Sequence, residues 1–401
     1  MDYFHGKNPA LAALLQAEEP ETIKMRRYLH EHPELSMQEK ETSAYVQAEA
    51  TRLGLPFEIV GEYGVIVRID GKEPGDYVML RADMDGLPVE EDPRNLSCDR
   101  TCISENPGVM HACGHDAHMA MLLSAMRVLA AYRDQFDGTI LCCFEQGEEP
   151  IAGVHAMMKG LEKYPVKTCY GMHVYYGYDS GKLEVSAGPR MSAAYGFEIT
   201  IHGKGGHGSR PDLCNSPILC GTQMINAWQN IWSVQLDRTK SVSLGIGQFR
   251  AGEAINVIPD TAFIGGSLRY FDRAAGPVAW EKFKKAAYTI AELNDCTIDL
   301  HEPYIPVGPV INDAEYSELA KEAAAEAVGE EHLMVGDPWY ASESMSFYLE
   351  KYPGVFGLLG IRNPEKGTGA NHHTSRFDVD EDAMKIGVAS AVNYALHALK
   401  K

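Results

Sequence analysis

Between Met110 and His118 the chain places one thiol, three imidazoles and a carboxylate within nine residues: Met110-His111-Ala112-Cys113-Gly114-His115-Asp116-Ala117-His118. These are the side-chain types that hold divalent metals. Cys113 and His115 are two apart, a spacing that shares no helix face. They therefore belong on a loop ahead of the next helix, where both can point at one ion. Glu148 and Glu149 close the run Phe144-Glu145-Gln146-Gly147-Glu148-Glu149, and adjacent carboxylates are costly to bury unless a cation neutralises them. Asp83-Met84-Asp85, Tyr170-Gly171-Met172-His173 and Asn371-His372-His373 also come at or after the ends of strand-like runs. In an open α/β sheet, ligands bind outside the carboxyl ends of the strands. The convergence of these five segments on one sheet edge, rather than any single residue, argues for a metal site. Taken alone, His30, His301, His111 and His118 read more simply as structural histidines. Alone, Glu148-Glu149 also fits a charge pair at a helix N-terminus. Cys142, Cys143 and Cys220 read as small core hydrophobes.

The elements that must carry these residues alternate. Strand patterns at 77–83, 139–144 and 168–174 are separated by helical patterns after His115 and over 151–161, an alternation that predicts an α/β domain with a mixed, largely parallel sheet. From about 191 to 304 the pattern changes. A strand at 197–201 precedes a helix at 217–236, strands at 241–249 and 256–270, a helix from about Pro277 and a strand at 296–301. That β-α-β-β-α-β order is ferredoxin-like. It predicts an inserted α+β domain at 189–303, with the catalytic domain at 1–188 and 304–401. The first domain resumes with a helix at 316–328, a strand at 355–361 and a last helix from Glu381.

The chain has 401 residues, more than one ordinary domain holds. It carries 56 acidic and 36 basic residues, a formal net charge of −20. Such a chain repels nucleic acid and anionic membrane surfaces, which require dense positive patches. No apolar run of membrane-spanning length occurs, and 1–15 lacks the pattern of a signal peptide. Nine cysteines without a small-scaffold spacing fit core residues or ligands in a reducing, cytoplasmic compartment rather than disulfides.

The chain resembles the aminoacylase and carboxypeptidase group of di-metal amidohydrolases, above all the branch of hippurate hydrolases and indole-acetyl-amino-acid hydrolases. The likeness rests on Arg26-Arg27-Tyr28-Leu29-His30 with Pro33-Glu34-Leu35-Ser36, on Arg81-Ala82-Asp83-Met84-Asp85-Gly86-Leu87-Pro88, and on Cys113-Gly114-His115-Asp116. It continues through Glu148-Glu149, Met172-His173-Val174, Gly203-Lys204-Gly205-Gly206-His207, Asn256-Val257-Ile258-Pro259-Asp260, His373 with Phe377, and Asp380-Glu381. The resemblance implies metal ligands Cys113, His115, Glu149, His173 and His373, a general acid/base at Glu148 and a ligand-orienting Asp85. It also implies that His207, in the inserted domain, reaches substrate across the interface of a homodimer which that domain mediates. The chain departs from the group at Gln146-Gly147, where Gln-Pro-Ala is common, and at Ser342-Glu343-Ser344-Met345. It departs again in a polar segment at 92–106 holding Cys98 and Cys102.

Two divalent cations, Mn2+ or Zn2+ with Co2+ also compatible, would supply an activated water, because a bound metal lowers the pKa of its water to about 7. A hydroxide bridging the two would attack the amide of an N-acyl amino acid or related small conjugate. Glu148 would take the water's proton and return it to the leaving nitrogen, and His207 would stabilise the oxyanion. Arg269 and Asn256 would hold the substrate carboxylate, since the guanidinium fork matches it; a surface strand-end arginine is the competing reading. Three rivals stand beside this one. A Cys113–His115 thiol hydrolase has no use for the paired glutamates. A non-catalytic metal binder has no use for Glu148. A dipeptidase or carboxypeptidase of the same fold shares every motif.

Overall fold

A computed structural model describes residues 8–302 and 306–401. These form two compact units. One comprises Met1–Gly188, Ile311–Asp337 and Phe347–Lys401; the other comprises Pro189–Val310 and Pro338–Ser346. The expected boundary at 303/304 lies outside the described residues.

The first unit is built on an eight-stranded sheet. In spatial order its strands are Phe57–Val60, Gly64–Asp70, Thr139–Glu145, Tyr77–Asp83, Val166–Asp179, Gly354–Arg362, Leu183–Glu184 and Leu333–Met334. Tyr77–Asp83 runs parallel to both of its neighbours, and Val166–Asp179 runs parallel to Gly354–Arg362. Antiparallel pairings lie outside this centre. The central strands are buried on both faces, which explains why they read as continuous apolar runs rather than alternations. Val78, Leu80, Ile140, Cys142 and Phe144 join one core with the helices Pro9–Glu31, His115–Ala131 and Met384–Lys400. Met79, Leu141 and Cys143, pointing the other way by the period of two, are equally inaccessible. His115–Ala131 is buried nearly all round, as expected of a helix at the centre of a large core.

The second unit is a four-stranded antiparallel sheet with two helices, Pro217–Val234 and Ala275–Leu293. The strand order is Val242–Ala251, Thr261–Tyr270, Ala193–His202, Thr297–His301, the ferredoxin-like arrangement. Trp228 and Phe283 stack at 4.3 Å and Phe197 lies 4.6 Å from Phe283, forming the aromatic centre of this unit's core. One expected element divides. The run 256–270 is two strands, Val257–Ile258 and Thr261–Tyr270. Pro259 separates them, and a proline has no N–H for a sheet ladder. Val257–Ile258 pairs with Gly206–His207 instead.

Candidate metal centre

The strand Tyr77–Asp83 delivers Asp83 and, just beyond its end, Asp85. The strand Thr139–Glu145 leads to Glu148 and Glu149, Val166–Asp179 carries His173, and the chain after Gly354–Arg362 reaches His373. These strands are neighbours, so their ends converge, and the loop 110–114 joins them. The loop's shape is fixed at Gly114, which caps the helix His115–Ala131 with φ 93°. A Cβ there would lie 2.4 Å from Val174 and 3.3 Å from Phe377. Only glycine allows both the turn and that approach, and Cys113 and His115 flank it.

Two three-residue donor sets share Cys113. One is Cys113, His115 and His173; the other is Cys113, Glu149 and His373, and within each the donor atoms lie within 4.8 Å of one another. Cys113 Sγ is 3.4 Å from His173 Nε2 and 3.3 Å from His373 Nε2. His373 Nε2 lies 3.2 Å from Glu149 Oε1, and His115 Nε2 lies 3.9 Å from the same oxygen. Glu148 completes a further set with His115 and Glu149 and is buried.

Divalent cations fit these residues on three counts. The donors are one thiol, three imidazoles and carboxylates, a set that suits zinc and manganese alike. His115 Nε2 and Glu149 Oε1 are both buried without a hydrogen-bond partner among the described residues, a costly state for polar atoms unless something binds them. Their titration also shows what a cation would replace. Burial works against protonation of His115, yet Asp83, Asp85 and Glu149 raise it to about 10. Burial, with Glu149, Glu148 and Asp83, pushes the Cys113 thiol well above the usual thiol value. Protons therefore stand where positive charge belongs.

The surroundings aim the ligands. His115 Nδ1 meets Asp85 Oδ1 at 3.0 Å, leaving Nε2 for the donor sets. Asp85 in turn accepts from Ser36 Oγ at 2.6 Å and from the Glu149 amide at 3.1 Å. Despite burial, His115 and Ser36 hold its carboxyl below the usual range. A metal-ligating histidine ordinarily has such a partner on its other nitrogen. His173 Nδ1 donates to the Val174 carbonyl at 2.6 Å, which fixes the tautomer that leaves Nε2 toward Cys113.

Asp83, His118 and Arg81 were not singled out as site residues by sequence. Asp83, His115 and His118 form a fourth close group, but hydrogen bonds occupy His118. Its Nε2 accepts from the Val174 amide at 2.9 Å and its Nδ1 donates to Asp83 at 2.6 Å. His118 is thus a strut between the end of one strand, Asp83, and the middle of another, Val174. Arg81 bridges Asp83 and Glu145, at 2.8 Å to each, and Tyr348 donates to Glu145 at 2.8 Å. Glu145, the acidic residue before the glutamate pair, is therefore a counter-ion under the site. Strand register carries the only sequence signal for this, since Asp83 pairs with Glu145.

The remaining expected residues lie in the second unit. His207 is exposed at a turn, its Nδ1 accepting from the Ser209 amide at 3.1 Å. Asn256 is exposed on the partner segment, its carbonyl accepting from Gly208 at 2.8 Å. Arg269 is half-buried and donates to the Tyr340 carbonyl at 3.3 Å and Ser342 Oγ at 3.4 Å. Among the described residues it has no carboxylate partner within ion-pair distance, and burial lowers its pKa.

A parallel-centred sheet with this donor set at its strand ends defines a metal-dependent hydrolase of amide bonds. Residues 79–397 match the peptidase family M20/M25/M40, and the chain belongs to that family. It is 34% identical over 384 residues to thermostable carboxypeptidase 2 of Saccharolobus solfataricus, covering 94% of each chain. It is 34% identical to the N-acetylcysteine deacetylase of Bacillus subtilis, covering 91% of this chain and 93% of that one. An IAA-amino acid hydrolase of Arabidopsis thaliana, ILR1-like 4, is 31% identical over 94% of this chain and 85% of its own. Among solved structures, a dinuclear metal-binding peptidase of the M20 family from Bacillus subtilis superposes with TM-score 0.80. It is 30% identical, with 96% of this chain and 99% of that one covered.

Proposed function

We propose that the protein hydrolyses the amide bond of N-acyl amino acids, with Cys113, His115, Glu149, His173 and His373 holding two divalent cations. The carrying observation is the pair of donor sets that share Cys113, with Glu148 beside them. Mn2+ or Zn2+, and also Co2+, suit these donors. Bound there, the cations supply Lewis acidity and a water of lowered pKa.

The chain's own residues do the rest. Glu148, which neither Cys113-sharing set needs as a ligand, accepts the proton of the attacking water as oxygen bonds to the acyl carbon. It returns that proton to the amine nitrogen as the C–N bond breaks. Asp85 holds His115 in the tautomer that presents Nε2. His207, with Nδ1 accepting from Ser209, carries its proton on Nε2 and donates it to the developing oxyanion. Arg269 and Asn256 bind the substrate carboxylate. An arginine that is half-buried with only neutral partners among the described residues supports this role, since a bidentate carboxylate completes its fork.

The deacetylase and IAA-amino acid hydrolase relatives favour an acyl amino acid as substrate, while the carboxypeptidase relative favours a dipeptide or peptide. A panel of acetyl- and benzoyl-amino acids against dipeptides, run with enzyme loaded in turn with Mn2+, Zn2+ and Co2+, decides between them. Acyl amino acids should turn over at least about tenfold faster by kcat/KM. Faster dipeptide cleavage would reverse the assignment.

A homodimer through the second unit is part of this reading. The strand Val242–Ala251 stands at the edge of its sheet and is exposed continuously from Gly247 to Arg250, Phe249 included. An uncovered edge strand invites a partner. A cytoplasmic location draws support from nine unbridged thiols. No helix among the described residues is long and apolar enough to cross a membrane.

A further inference from the structure

The segment 92–106, whose role the sequence leaves open, runs along the loop that carries His373. The Asp92 amide donates to the Ser375 carbonyl at 3.0 Å, and Arg376 meets the Asp92 carboxylate at 2.9 Å. The Leu96 amide donates to the Gly367 carbonyl at 3.1 Å. Asn95 Nδ2 donates to Asp378 Oδ2 and to the Lys366 carbonyl, both at 2.9 Å. Under this strap lies Arg100, whose side chain is 1% exposed. Its Nε donates to the Asp92 carbonyl at 2.7 Å and one terminal nitrogen to the Ser375 carbonyl at 3.0 Å. Glu91 at 3.2 Å and Asp378 at 3.6 Å balance its charge. Arg26 continues the buried network from Asp378 to Asp116, the residue after His115.

His373 needs such support. Its ring is half exposed, so packing does not hold it. Its backbone sits at φ 61°, a left-handed conformation uncommon outside glycine that persists only where the surroundings over-determine it. One clamp is visible on each side: the His373 amide donates to the Ala112 carbonyl at 2.9 Å, and Arg100 holds the carbonyl two residues on. A single planar guanidinium spans two carbonyls in two segments, which a lysine ammonium on a flexible stem does not reproduce.

We propose that Arg100 is a positioning residue for the metal centre. By fastening the strap 92–106 to the Ser375 carbonyl, it aims His373 at Cys113 and Glu149. The proposal rests on the reading of His373 as a ligand.

The test uses the full chain, stripped of metal and titrated with Zn2+ against a chromophoric chelator, for the wild type, Arg100→Ala, Arg100→Lys and His373→Ala. Outer partners of metal ligands commonly change affinity by about 10- to 100-fold. In Arg100→Ala the weaker of two zinc ions should bind at least about tenfold less tightly while the tighter one changes little. Backbone amides across 371–378 should exchange faster with solvent deuterium. Arg100→Lys should show the same asymmetric loss, and it carries the test if Arg100→Ala does not fold. A general loss of structure would weaken both ions alike, so equal weakening contradicts the proposal. So does binding of both ions within about twofold of the wild type by folded Arg100 variants, when His373→Ala does lose zinc. If His373→Ala itself binds zinc as the wild type does, the ligand reading falls and this proposal falls with it.

Discussion

His115 is fully buried, with one nitrogen on Asp85 and the other 3.9 Å from Glu149, whereas His207 is exposed on a two-residue strand, with its ring Nδ1 on Ser209. Both imidazoles belong to the reaction proposed above. The first unit builds its part in advance. Strand ends fix the ligands, Gly114 permits the loop, and Asp85, His118 and the Arg81–Glu145 pair hold the ends against one another. The second unit leaves His207 and Asn256 exposed and Arg269 half-buried with only neutral partners among the described residues. One region is pre-organised around buried charge; in the reading proposed above, the other would be completed by a substrate or a second chain. The buried region should therefore govern metal binding and the proton, and the exposed region should govern the substrate in the transition state.

The sharpest way to break that division is Glu148→Gln. The substitution keeps shape and removes the proton acceptor, so kcat should fall by about 10²- to 10⁴-fold, with metal content by mass spectrometry unchanged. Normal turnover by a metal-loaded Glu148→Gln enzyme would remove Glu148 from the mechanism. His207→Ala comes next. Loss of one oxyanion donor costs about 10²- to 10³-fold in kcat, and here too metal content should hold. Because the residue is exposed, it is the natural candidate to act across a symmetric dimer. Mixing His207→Ala with Glu148→Gln chains should then restore activity through heterodimers with one intact composite site. Verified heterodimers that stay inactive would place His207 within its own chain's reaction or outside the reaction altogether.

A third expectation comes from the buried charges. In the metal-free protein at neutral pH, His115 is held protonated, with a pKa near 10, and the raised Cys113 stays a thiol. Cations must displace both protons. Raising pH removes the competitor, so metal affinity should rise with pH through the neutral range. The limiting slope is about tenfold per pH unit for each proton released, or about a hundredfold for two. Titrations between roughly pH 6 and pH 8, around neutrality, measure the slope. Affinity independent of pH would mean that these two groups are not both ligands.

The sequence exposed much of this division and missed its supports. The strands around Val78, Ile140 and Val174 announce themselves because burial on both faces makes them continuous apolar runs, and each leads into metal-ligating or acidic residues. The ferredoxin-like order of the second unit is legible from its alternations, apart from the break at Pro259. Roles that depend on a distant partner are not legible. Nothing in the sequence shows that Arg81 and Tyr348 bond to Glu145. His118 reads as structural from the sequence, but its partners, the Val174 amide and the Asp83 carboxylate, are legible only in the fold. The strap 92–106 has no periodic pattern, and its meaning comes from Ser375 and Asp378, more than 250 positions away. Likewise Pro338–Ser346 belongs with the second unit although nothing in its composition separates it from its neighbours.

The most direct test of a two-cation amidohydrolase is metal content measured by mass spectrometry beside hydrolysis of a benzoyl-amino acid, before and after exhaustive chelation. The loaded protein should hold about two divalent ions per chain, the number of a di-metal site, and the stripped protein should be inactive until ions are restored. Full hydrolysis by protein shown to be metal-free would contradict the central claim.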